Sequence, residues 1–287
     1  MANKKNTARK ESSTLSFLYN NAFGRLILKL LTARWISKLA GAFLSSRASK
    51  FLIKKFVKGN NINLDDYESD NFKCFNDCFC RKIKDGLRPI DTTPKAFISP
   101  CDALLSAYRI TPDTRLTIKG SIYSIEELVR DKELAAHYAD GICLVFRLCV
   151  HHYHRYVYFD NGSKGENVFI KGKLHTVRPI ALESAPVFKQ NCREYTVMDT
   201  ENFGKATQIE VGAMLVGKIK NHHGAYSFTR GEEKGTFLYG GSTVILLLEK
   251  DSAAVNEEFF ITTEAGEETE VKMGQLLGKA LKAKITV

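Results

Sequence analysis

The sequence predicts an α+β protein, with N-terminal amphipathic helices followed by a mostly antiparallel, β-rich body. Three observations carry this expectation. Apolar residues recur at helical spacing between Phe23 and Leu44. Short runs of β-branched and aromatic residues, punctuated by Gly, Asn and Asp, fill the chain from about Phe97 onward. Hydrophobic residues make up 44% of the 287, enough to bury a core and exclude disorder as the overall state.

Residues 1–12 are polar and charged without apolar periodicity, and read as a frayed tail. From Phe23 the apolar positions run through Leu26, Ile27, Leu30 and Leu31, then Ile36, Leu39, Ala40, Phe43 and Leu44, the spacing of a helix with one apolar face. A second short helix, 48–58, follows the Ser45-Ser46 break. Residues 1–60 are therefore expected to form a basic amphipathic helical region, and 61–287 the body.

The net charge of +10 is confined to that first region. Between Ser12 and Leu64 there is no acidic residue, whereas Arg25, Lys29, Arg34, Lys38, Arg47, Lys50, Lys54, Lys55 and Lys58 are basic. The body is near neutral, which argues against nucleic acid as a partner. No apolar run reaches the roughly 18 residues of a membrane span. A cationic helix carrying Trp35, Phe and Leu suits peripheral contact with anionic lipid instead; the same pattern also suits helices packed on the body with solvated lysines. Seven scattered cysteines and no secretory leader point to a reducing, cytosolic compartment.

Within the body, strands are expected at 142–149, 168–174, 209–219 and 243–248, with turns at Asp160-Asn161-Gly162 and Lys171-Gly172-Lys173. A helix is expected from Ser124 to Leu134, capped by Ser124 with Glu126 and Glu127 in its first turn.

The chemically suggestive segment is Tyr239-Gly240-Gly241-Ser242-Thr243, at the mouth of an apolar strand. Glycines allow the strained turn that brings a serine hydroxyl against the preceding carbonyl, the geometry of an N-to-O acyl shift. Ester formation at Gly241, β-elimination and imine hydrolysis then leave a pyruvoyl group at position 242. A Gly-Gly-Ser turn into a strand is also a common structural device.

The segment gains weight from matches along roughly residues 16–280: Phe72–Lys84, Arg88-Pro89-Ile90-Asp91, Ser99-Pro100-Cys101-Asp102, Leu148–Arg155, Asp160-Asn161-Gly162, Val177–Leu182, Arg193-Glu194-Tyr195, Glu201–Gly204, Val211–Gly217 and the stretch through Ser242-Thr243. In this order they resemble the bacterial phosphatidylserine decarboxylases that self-cleave at Gly-Gly-Ser-Thr. The resemblance implies cleavage at Gly241-Ser242 into chains 1–241 and 242–287 that stay together, and a covalent pyruvoyl cofactor made from Ser242. That cofactor would form a Schiff base with phosphatidylserine and release CO2 to give phosphatidylethanolamine, at the cytoplasmic side of the cell membrane. No metal is implied.

The resemblance also distributes roles. The Asp of the Ser-Pro-x-Asp motif falls on Asp102, the nucleophile on Ser242, and the first histidine of Asp-Tyr-His-Arg-x-His on His154, a proton donor to the decarboxylated carbon. That element reads His152-Tyr153-His154-Arg155-Tyr156-Val157 here, so the second histidine, the self-cleavage base, is replaced by Val157; Ala103 replaces the glycine after Asp102. Either His154 serves both steps or His175 supplies the base. Asp102 is expected to orient it. Two rival readings stand: a lipid-binding homologue that never matures, and a Ser-dependent hydrolase, against which the lack of Gly-x-Ser-x-Gly counts. A decarboxylase for a different amine headgroup also fits.

Cys74, Cys78 and Cys80 lack metal-ligand spacing and read as core residues. The pairs His151-His152 and His222-His223 read as surface or turn histidines, and Lys272-Met273 as structural.

Overall fold

The computed structural model describes residues 17–18, 21, 23–24, 26–27, 34–118, 121–173, 175, 187–212, 219–238 and 242–281. The polar tail, most of the 23–31 stripe, the 177–182 match, the 213–218 segment and Gly241 lie outside them.

The expected N-terminal helices are present. A helix spans Arg34–Leu44, the chain breaks at Ser45 and Ser46, and a 3-10 turn at Arg47–Lys50 leads into the Phe51–Gly59 helix. Ser49 ties the break together. Its Oγ shares its one proton between the Leu44 and Ser46 carbonyls and accepts from the Phe75 amide, all at 2.8–2.9 Å. Inward, Phe56 packs on Phe75 and Phe79 of the Phe75–Phe79 helix. Outward, Trp35, Leu39, Phe43 and Phe51 stay exposed, Phe51 at 72%.

The body opens with β1 (Ala96–Ile98) and β2 (Ala103–Arg109), followed by a hairpin of β3 (Arg115–Ile118) and β4 (Ser121–Ser124). The single helix expected over 124–134 is broken into Ile125–Val129 and Lys132–Ala136. Arg130 turns left-handed at φ 56°, and Asp131 starts the second piece by accepting the Leu134 amide at 2.9 Å. A local cap thus overrides continuous helical periodicity.

Next come β5 (Ile142–Leu148), β6 (Arg155–Val157), β7 (Gly162–Lys164) and β8 (Val168–Ile170). After a short helix at Val187–Gln190 follow β9 (Arg193–Thr200), β10 (Gly204–Val211), β11 (Ile219–Asn221), β12 (Tyr226–Phe228), β13 (Glu233–Phe237) and β14 (Ser242–Leu248). The chain continues through β15 (Ala253–Val255), a helix at Glu257–Glu264, β16 (Thr269–Val271) and β17 (Leu276–Ala280). The strand expected at 168–174 is shorter than the apolar run suggested, ending at Ile170; of the one expected at 209–219, residues 209–211 lie in β10 and Ile219 opens β11, while 213–218 lie outside the described residues.

The large sheet runs β12-β7-β9-β10-β14-β5-β2-β16, with β8 also paired to β9, and its pairings are antiparallel. Every residue of β14 is buried, as are six of the seven in β5. That is why Val244–Leu248 reads as an unbroken apolar run: a strand covered on both faces has no polar face to alternate with. The Glu257–Glu264 helix packs on β2 through Phe259 and Phe260, with Thr263 Oγ1 accepting the Ala107 amide. The small β11-β13-β6 sheet adds Tyr156 and Phe237 to the same core.

Candidate active site at one end of the central sheet

Adjacent strands of the large sheet end together. Val211 of β10 faces Thr243, Ser242 opens β14 opposite Leu148 of β5, and Ala103 opens β2 opposite Val271 of β16. Leu104 pairs with Arg147, so the antiparallel register carried on by two residues puts Asp102 across from Cys149. Neighbouring strands lie about 4.8 Å apart. Asp102 and Ser242 therefore sit roughly 10 Å apart at Cα, two strand widths, with the Cys149 turn between them.

Ser242 is fully buried, and its Oγ has no hydrogen-bond partner among the described residues. Leaving a buried hydroxyl unsatisfied costs about 1–3 kcal/mol, so such a group calls for a reason. The partner side of its peptide bond, Gly241, lies outside the described residues.

Asp102 is held by a fork. Arg88 Nε donates to Oδ1 at 2.7 Å and Nη2 to Oδ2 at 2.5 Å, while the Met273 amide donates to Oδ1 at 2.8 Å. The hydrogen bond to Asp102 raises the Arg88 pKa above its ordinary value. Gly274 brings the two segments together: at φ +82°, a Cβ there would lie 2.4 Å from the Pro89 carbonyl oxygen, so only glycine lets the Met273 turn press against the Arg88-Pro89 segment. Lys272-Met273 is thus structural, as expected from the sequence.

His154 and His152 are adjacent in the fold and opposite in chemistry. His154 is fully buried, its ring 4.1 Å from that of Phe79, and its Nδ1 lies 2.9 Å from the His152 carbonyl oxygen. A carbonyl only accepts, so Nδ1 carries the proton and Nε2 keeps its lone pair. That Nε2 is buried and has no partner among the described residues. His152 lies in a turn, as expected, but is buried rather than at the surface; its Nδ1 accepts the Cys149 amide at 3.1 Å. An amide only donates, so the neutral ring carries its proton on Nε2. Burial pushes the His154 pKa well below its ordinary value and that of His152 down to about 4. Both rings are neutral near pH 7.

The His152 carbonyl also accepts from Arg81, which donates to the His151 carbonyl at 3.0 Å. The His154 carbonyl accepts the Phe237 amide and the Thr236 hydroxyl, each at 3.0 Å. His154 is thereby pinned to the end of β13, five residues before Ser242.

His175 approaches from the other side. Its amide donates to Asn191 Oδ1, and Asn191 Nδ2 donates to the carbonyls of His175 and Gly212, each at 2.8 Å. Gly212 follows Val211, so His175 flanks Ser242 across β10 while His152 and His154 flank it across β5. The Val157 amide donates to the Pro100 carbonyl at 2.9 Å. Position 157 thus lies against the Asp102 loop, but its side chain is apolar and buried.

Register places Ser242 and Asp102 at one end of the sheet, Asn191 ties the His175 backbone to Gly212 at that end, and His154 is held between the His152 turn and the end of β13. Sequence reasoning gave no role to Arg88, Asn191 or His152, although Arg88 and His152 stand inside matched motifs. Among the described residues no cluster holds a metal.

A groove of about 580 Å³ opens on the N-terminal side, lined by Ile53, Val57, Ile62, Leu64 and Phe72, with Lys50, Lys54 and Lys58 along one helix edge. No described helix is long and apolar enough to cross a membrane.

Comparison with known proteins gives one consistent answer. The sequence model of the family described as phosphatidylserine decarboxylase matches residues 75–279. The chain is 42% identical over 270 residues to phosphatidylserine decarboxylase proenzyme 2 of Clostridium acetobutylicum, covering 94% of this chain and 92% of that protein. It is 40% identical to the phosphatidylserine decarboxylase proenzymes of Ruminiclostridium cellulolyticum, over 93% of this chain and 91% of that one, and of Clostridium kluyveri, over 92% and 91%.

Proposed function

The chain belongs to the phosphatidylserine decarboxylase family, and on that footing we propose that it matures by cutting itself at Gly241-Ser242 and then converts phosphatidylserine to phosphatidylethanolamine and CO2. The observation that carries the reading is that the Ser242 hydroxyl and the Nε2 of His154 are both buried and have no hydrogen-bond partner among the described residues.

His154 Nε2 takes the Ser242 proton as Oγ bonds to the carbonyl carbon of Gly241, and returns it to the departing nitrogen of residue 242. The net proton count is unchanged and an ester replaces the peptide bond. β-Elimination frees the 1–241 carboxylate; uptake of water and loss of ammonia leave the pyruvoyl group. The site fits such a group: the precursor oxygen is buried, the strand behind it is apolar, and the Ser242 hydroxyl has no hydrogen bond to break among the described residues.

When present, a pyruvoyl group supplies a ketone that condenses with the substrate amine and takes up the electrons left by CO2. The chain does the rest. Burial limits water, Nε2 of His154 takes up the proton that the substrate ammonium gives up on becoming the condensing amine and passes it to the carbon that loses CO2, and Arg88 and the Met273 amide fix the Asp102 carboxylate near the His152 turn. The basic N-terminal region, about residues 1–60, rests on anionic lipid at the cytoplasmic face of the membrane. The exposed Trp35, Leu39, Phe43 and Phe51 support this.

Intact mass spectrometry tests the reading. The expected product is a 242–287 fragment lighter by one ammonia than the serine-initiated peptide, and blocked to Edman sequencing. An uncut chain of 32.2 kDa after long incubation with lipid would instead establish a homologue that does not mature, the reading that Val157 motivates.

A further inference from the structure

We propose that Phe79 is a positioning residue for His154: its ring face sets the plane of the imidazole and stabilises the positive charge that the imidazole takes on whenever Nε2 holds a proton. The inference rests on the reading of His154 as the proton carrier, given above.

The need for such a group is visible in what surrounds His154. Its Nδ1 is bound to the His152 carbonyl, and its Nε2 has no hydrogen-bond partner among the described residues, so neither ring nitrogen meets a carboxylate there. The His152 carbonyl favours a charged ring, but the strongest charges around it, those of His152, Arg81 and His151, oppose one. Asp102 is committed to three donors from Arg88 and Met273. A proton arriving on Nε2 therefore creates a buried imidazolium without a counterion, which costs free energy unless another group offsets it.

Phe79 is in place to do so. Its ring is fully buried, with its centroid 4.1 Å from that of the imidazole and the planes 43° apart. An edge-on aromatic pair sits farther apart, at about 5 Å. The imidazole thus lies against the Phe79 face, inside the roughly 6 Å over which the negative face of a ring attracts a cation.

The backbone holds the two rings together. Phe56 and Phe75 pack on Phe79 at 6.0 and 6.4 Å between centroids. The next two residues grip the chain on both sides of His154. Arg81 donates to the His151 carbonyl at 3.0 Å, and Arg155 donates to the Cys80 carbonyl at 2.9 and 3.1 Å. Cys80 Sγ donates at 3.4 Å to the carbonyl of Phe237, the residue whose amide binds the His154 carbonyl.

Phe79 forms and breaks no bond. As Nε2 takes the Ser242 proton the imidazole becomes a cation, with its Nδ1–H still on the His152 carbonyl; when Nε2 returns the proton to the departing nitrogen it is neutral again. The face of Phe79 lowers the energy of the charged stage alone, which is what speeds a reaction.

The test replaces Phe79 by phenylalanines carrying one, two and three ring fluorines, which nearly keep the ring's size while draining negative charge from its face. The fraction cut is followed with time after pulsed synthesis, with a thermal melt of each chain. Cutting should slow stepwise with fluorine number, by about tenfold for the trifluoro ring, while Tm stays near that of wild type. Equal rates along the series would overturn the proposal, as would a slowing that tracks loss of Tm rather than fluorine number. Phe79→Leu, which has no ring face, should cut at least as slowly as the trifluoro chain; a leucine chain that folds and cuts at wild-type speed would also overturn it, and the fluorine series stands even if that chain fails to fold. A wild-type chain that stays uncut would sink the self-cleavage reading and this inference together, and that control tells the two failures apart.

Discussion

His154 donates its Nδ1 proton to the His152 carbonyl oxygen at 2.9 Å, and this one bond decides which nitrogen of the ring is left to act as a base. His175 is placed differently: the bonds that fix it to Asn191 run through its backbone amide and carbonyl. His154→Ala should therefore arrest self-cleavage by roughly 10²–10⁴-fold, the range for losing a general base. His175→Ala should still be cut. Gel analysis of the two variants decides the point, and arrest in His175→Ala alone would reassign the base.

The neutral histidines set an acid limit on stability. Burial holds the folded pKa of His152 at about 4, below its unfolded value of 6.5, so the unfolded chain binds the extra proton as pH falls. Stability is intact above pH 6.5 and is lost on the way down to about 4. The loss from this group reaches about 2 kcal/mol by pH 5. His154, depressed by the same cause, adds in the same direction. Thermal melts at pH 7 and pH 5 should show a fall in Tm that His152→Gln reduces; an unchanged fall would mean that other groups dominate.

The sequence made the sheet end legible in parts. The apolar run 243–248 marked a strand, whose cover on both faces is evident only from the burial of all of β14, and motif order brought forward Ser242, Asp102 and His154. Position 152 was legible as a turn histidine but not as a buried one, because the Cys149 amide that holds its ring is a backbone donor with no sequence signature. The break at Arg130 was missed for a related reason: a left-handed residue that is not glycine leaves no mark in composition. Arg88 was visible as a motif member, but the third donor on the carboxylate it grips comes from Met273, 171 residues beyond Asp102, in a turn where Gly274 packs against the Pro89 carbonyl.

The Arg88–Asp102 pair should behave as a buried unit. Its side chains are 17% and 9% exposed, so removing the cation strands a nearly buried carboxylate with one amide donor left. Arg88→Met should cost about 3 kcal/mol in urea unfolding, the lower end for breaking a buried pair. The double variant Arg88→Met/Asp102→Leu should cost clearly less than the sum of the two single changes. Additive costs would show that the two side chains are not coupled.

Lipid attachment should scale with the groove lysines. Lys50, Lys54 and Lys58 lie four residues apart along the Phe51–Gly59 helix and the turn before it, beside exposed Phe51. Each basic residue near an anionic surface contributes about 1 kcal/mol. Changing all three to Gln should therefore weaken partitioning onto phosphatidylserine-containing vesicles by roughly 100-fold. Co-sedimentation measures this directly, and raised salt should weaken the wild type more than the variant, because the screened interaction is the one the variant lacks. Equal binding by both chains would move the membrane contact off this helix. Self-cleavage measured in the same samples should be unchanged, since the three lysines line the outer groove rather than the Ser242 end of the sheet.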